Sequence, residues 1–113
     1  MKHFYLSLLL ISSLNAKDMG ALLFNGNCIT CHHESTAISA PSISEIKENY
    51  LRAFPDKNNF VYAMSTWVKK PSKKTSIMLD AVKTYELMPE LGYDCSTLEI
   101  ISAYLYDTKF PSN

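Results

Sequence analysis

The sequence predicts an all-α fold, and three observations carry that reading. Apolar residues recur at helical intervals in five stretches, residues that cap helices precede most of them, and no stretch alternates apolar and polar residues between hairpin turns. The first helix is expected from Asp18, as N-cap, to near Gly26, because Gly and Asn favour helix C-termini. A second follows Ser42-Ile43-Ser44-Glu45, which has capping-box spacing, and carries Ile43, Ile46, Tyr50 and Phe54 until Pro55 stops it. Asp56 can cap a third, in which Phe60, Val61, Met64, Trp67 and Val68 make one apolar face before Pro71 ends it. A shorter helix is expected over residues 76–85, built on Ile77, Met78, Ala81 and Val82, and then a loop around Met88-Pro89-Glu90-Leu91-Gly92. A second capping box, Ser96 to Glu99, opens the last helix, with Leu98, Ile101, Tyr104 and Leu105 on one side and fraying after Asp107.

The chain has 113 residues and begins Met1-Lys2-His3, followed by the apolar run Phe4 to Ile11 and the small and polar run Ser12 to Ala16. That order reads as a secretory signal peptide over residues 1–16, cut after Ala16, so the expected location is the periplasm. The apolar run is too short to be a spanning helix, which needs about 20 such residues, so no stable membrane insertion is expected. Residues 17–113 then make one domain, with no repeat or Gly/Ser linker to divide it. Without Lys2 the mature chain has 10 Lys plus Arg against 11 Asp plus Glu, and that balance gives no reason to expect a nucleic-acid partner. A chain this short buries only a modest core, and a large apolar cofactor inside it would supply a real share of the packing.

Cys28-Ile29-Thr30-Cys31-His32 is the signature of covalent haem attachment. Two thiols three residues apart can each add to one vinyl group on the same haem edge, and the adjacent His32 then reaches the iron. Two other uses of a Cys-x-x-Cys pair are possible. A thioredoxin-like disulfide would want the pair after a β-strand within a βαβ unit, and no such strand is expected. A zinc site would want a second ligand pair, and the mature chain adds only His33 and Cys95. The expected cofactor is therefore one haem c, bonded through Cys28 and Cys31, its iron ligated by His32.

Met88 is the expected second iron ligand, since electron-carrier cytochromes set a soft thioether opposite the His and thereby raise the reduction potential. It lies in an expected loop, and Pro89 fixes the backbone there and cannot continue a helix. Met78 is the serious rival. Met19 and Met64 occupy core-like helical positions, where Met is more often packing.

These residues resemble the class I cytochromes c over nearly the whole mature chain. The resemblance rests on Gly20 to Phe24, the motif at 28–32, the step Pro41 to Ile43, Trp67 and Pro71, Met88-Pro89, and a last helix bearing Tyr104-Leu105. It is strongest to the small monohaem periplasmic proteins of bacterial respiratory chains, and implies four to five short helices wrapped around one haem. It also implies that the first and last helices cross, with Gly20 letting Tyr104 come close, and that the carbonyl of Pro41 accepts a hydrogen bond from His32. Trp67, either core or an indole donor to a haem propionate, can be both. Ala40 departs from the family's usual Gly before that Pro, and Cys95 is outside its pattern.

The function expected from these readings is one-electron transfer between two larger redox proteins by a soluble monomer that is not an enzyme. His and Met ligation leaves no open iron site, whereas a peroxidase or gas sensor needs Met88 absent or displaceable. A bound haem subunit of an oxidase or dehydrogenase is a further alternative. His33 is expected in solvent and Cys95 as a small buried hydrophobe under the last helix. Lys69, Lys70, Lys73 and Lys74 read as a solvated turn or as part of a docking rim.

Overall fold

The structure is a computed structural model that describes residues 15–111, and the signal peptide expected at 1–16 lies outside them except for its last two residues. It is all-helical: α1 (Ala16–Asn27), α2 (Ile43–Ala53), α3 (Lys57–Lys69), a single 3-10 turn (Lys73–Thr75), α4 (Leu79–Tyr85) and α5 (Cys95–Asp107). No strand occurs among the described residues.

The caps place these elements. Ser42 Oγ accepts from the backbone N–H of Glu45 at 3.2 Å, and Asp56 Oδ2 does the same for Asn59 at 3.2 Å, so α2 and α3 start where their spacing predicts. Four boundaries differ. Asn15, not Asp18, caps α1, its Oδ1 accepting from Asp18 N–H at 2.9 Å. The helix runs past Gly26 to Asn27, and Cys28 is its C-cap in right-handed helical geometry, so Gly26 ends nothing. Asp94, not Ser96, caps α5, because its carboxylate reaches Thr97 N–H at 2.8 Å and a carboxylate at a helix N-terminus also meets the favourable end of the dipole. Finally α4 starts at Leu79 rather than 76, since residues 73–75 form the 3-10 turn and Ser76 Oγ accepts from Met78 N–H at 3.1 Å.

Moving the start of α5 moves Cys95 onto its first turn, where it is exposed and free. The expectation of a buried Cys95 is therefore wrong. His33 is half-buried rather than in solvent.

The core is Phe24, Ile43, Tyr50, Phe60, Met64, Ile101 and Leu105. Helix α5 packs on α3, with Phe60 and Tyr106 edge-to-face at 5.1 Å, and crosses α1 at Gly20. A Cβ on Gly20 would collide with Cβ of Tyr104 and lie 3.3 Å from the carbonyl of Ile100, so the crossing requires glycine. The segment after α5 folds back: Lys47 Nζ donates to the carbonyl of Thr108, and Phe110 packs on Phe24 at 5.9 Å. No helix among the described residues is long and apolar enough to cross a membrane.

Candidate functional site

The helices enclose a cavity of about 360 Å³ that opens to the surface. Its walls are mostly apolar, supplied by Ile43 and Ile46 of α2, Val68 of α3, Val82 of α4, and Ile101 and Leu105 of α5. The space opens to solvent, and its apolar lining suits an apolar occupant.

The sequence motif forms one edge of this cavity. The N–H of Cys28 donates to the carbonyl of Phe24 at 2.8 Å and that of His32 to the carbonyl of Cys28 at 2.9 Å, so the motif extends the end of α1 by another turn. The loop after it is pinned to the start of α2 by Ile43 N–H to His33 carbonyl at 2.9 Å and Ser44 N–H to Glu34 carbonyl at 3.0 Å. That pairing brings the carbonyl of Pro41 to 2.9 Å from His32 Nδ1. A carbonyl can only accept, so Nδ1 is the donor, and in the neutral ring Nε2 then carries the lone pair.

Cys28, Cys31, His32, Pro41, Trp67 and Met88 all border the cavity. So does Met78, and so does Met64, which is 4 % exposed and also part of the core. Met88 follows Glu86, whose φ of 70° and ψ of 174° fall in a region ordinarily left to glycine, and precedes Pro89. Pro89 restricts the backbone on the C-terminal side of Met88, and Leu87 separates Met88 from Glu86. The indole N–H of Trp67 donates to the carbonyl of Ser72 at 3.1 Å, so Trp67 ties α3 to the turn after it as well as lining the cavity.

Burial, and secondly the neighbouring Cys31, push the Cys28 thiol up to about 11. No βαβ unit occurs among the described residues. Cys95 and His33 do not complete a metal site either, for no cluster of three or more His, Cys, Asp or Glu side chains suited to a metal occurs among the described residues.

Residues that the spacing gave no reason to single out also shape the site. Tyr93 accepts from Lys69 Nζ through its carbonyl at 2.6 Å and its hydroxyl lies 3.1 Å from Asn27 Oδ1, which ties the Met88 loop to α3 and α1. Both bonds join residues more than twenty positions apart, beyond the reach of any local pattern. Comparison with protein-family models, with curated proteins and with solved structures yields no match.

Proposed function

We propose that this chain is a c-type cytochrome of the class I kind, an exported one-electron carrier. Its single haem is bonded to Cys28 and Cys31 and ligated by His32 and Met88. The observation that carries the reading is His32 at the edge of a large apolar cavity, its Nδ1–H held by Pro41 and its Nε2 free, beside two thiols in attachment spacing. The donor set fits: an imidazole and a thioether suit a haem iron, and the thiols suit two vinyl groups. When bound, the haem supplies the one-electron couple.

The chain's own residues then have separate tasks. Pro41 fixes the ring of His32 and raises its basicity. The apolar walls, Ile43, Ile101 and Leu105 among them, exclude water and so favour the less charged oxidation state. Pro89 restricts the backbone that presents Met88. His32 and Met88 would hold the iron together, so the chain would need no acid, base or nucleophile of its own, and the partners would be a donor and an acceptor protein.

The test is the visible spectrum of the purified full-length product in both oxidation states, with and without carbon monoxide. The expected result is a low-spin haem spectrum that carbon monoxide does not change in the reduced state. A carbon monoxide complex formed readily at neutral pH would mean an open iron position and an enzyme or gas sensor instead.

A further inference from the structure

Trp67 and Leu87 border two concavities, the cavity described above and a shallow groove between α3 and the 3-10 turn. The groove is open and partly apolar. Phe54, Ala63 and Pro71 contribute to it half-buried, while Tyr62 of α3 is 74 % exposed. Lys70 and Lys73 line it, both exposed, and no Asp or Glu does. Neither lysine is in an ion pair among the described residues, where the pairs are Arg52 with Glu48 and Lys57 with Asp107. Lys69 is different: its ammonium donates to Tyr93 and sits near Asp94, so it belongs to the loop on the other flank of α3.

We propose that this groove docks an acidic segment of a partner protein, a carboxylate-rich stretch carrying one aromatic side chain. Charge selects the occupant: two unpaired ammonium groups with no competing carboxylate favour an anionic partner, and the exposed tyrosine beside them favours an aromatic one. Taking the partner to be a redox protein rests on the carrier reading, whereas the recognition chemistry rests on the groove alone. The position suits a carrier, since only the side chains of Trp67 and Leu87 belong to both concavities and electron tunnelling fades steeply with distance. A small interface with charges at its rim also lets a partner leave quickly.

The experiment is amide chemical-shift mapping on the nitrogen-15-labelled, full-length product as purified, with the blocked pentapeptide Asp-Glu-Trp-Glu-Asp as probe. Shifts are expected at Tyr62, Ala63, Lys70, Ser72 and Lys73. Binding should weaken about tenfold in the Lys70→Glu/Lys73→Glu double variant. It should weaken by about as much when glycine replaces the peptide's tryptophan. Shifts centred instead on Cys31, Ile77 and Leu91, or equal binding by the double variant, would overturn the proposal. So would tighter binding of mixed phosphatidylcholine and phosphatidylserine vesicles through the same residues, which would make the groove a membrane contact. The visible spectrum of the same sample keeps the two readings apart. A haem-bearing protein that ignores the peptide defeats the groove alone, and a haem-free protein that binds it in the groove defeats the carrier reading alone.

Discussion

Met88→Ala should abolish the weak near-red sulfur-to-iron band, lower the midpoint potential and open the reduced iron to carbon monoxide. Met78→Ala should leave all three unchanged. Both thioethers border the cavity, so position around it does not choose between them. Backbone does. Met88 lies between Glu86, with φ of 70°, and Pro89, in a segment with no helix of its own to stabilise. Met78 is the N-cap residue of α4 and its N–H is already tied to Ser76. Its loss removes half-buried packing, a cost near the low end of roughly 2–5 kcal/mol. Absorption spectra and redox titration of the two variants decide it, and the reverse pattern would transfer the ligand role to Met78.

Gly20→Ala should destabilise the protein by about 1–3 kcal/mol, the usual cost of overpacking, while Gly26→Ala should stabilise it by about 0.5–1 kcal/mol. Both glycines lie in α1, and intrinsic propensity favours alanine at each. Their surroundings separate them. At Gly20 the added methyl runs into Cβ of Tyr104, an atom that moves only with the backbone of α5, whereas at Gly26 nothing lies within 4 Å. Thermal unfolding of the two variants measures the difference, and equal stabilisation by both would mean that α1 and α5 do not cross at Gly20.

Helix number and the faces they bury were legible because both depend on local periodicity. Ile43 and Tyr50 on α2, Phe60 and Met64 on α3, and Leu98, Ile101 and Leu105 on α5 are buried on the faces that spacing assigns. Helix starts were less legible, because several competent caps stood close together. Asn15 competes with Asp18, and Asp94 with Ser96, and in each case the upstream residue lengthens the helix, by three residues in α1 and two in α5. That two-residue difference also decides the fate of Cys95, which a helix starting at Ser96 would leave before the first turn. Cleavage after Ala16 would remove Asn15 and leave Asp18 as the nearest capping side chain, so the two readings of the α1 start belong to chains of different length.

The site divides the same way. Cys28, Cys31 and His32 are adjacent in sequence and announce themselves. The carbonyl of Pro41 is nine residues from His32 and was suggested only by resemblance, yet the contact is present at 2.9 Å. Ser72 as acceptor for Trp67, and Tyr93 as anchor for Lys69, depend on how loops close around the cavity, and composition carries no trace of that.

The most direct measurement of the central claim is the intact mass of the purified protein after extraction with acid acetone. The account predicts a mass equal to the chain from Lys17 onward plus one haem, with the colour staying in the protein fraction, because both thiols would be held in thioether bonds. A colourless protein with the mass of the bare polypeptide, its pigment extracted or never present, would contradict it.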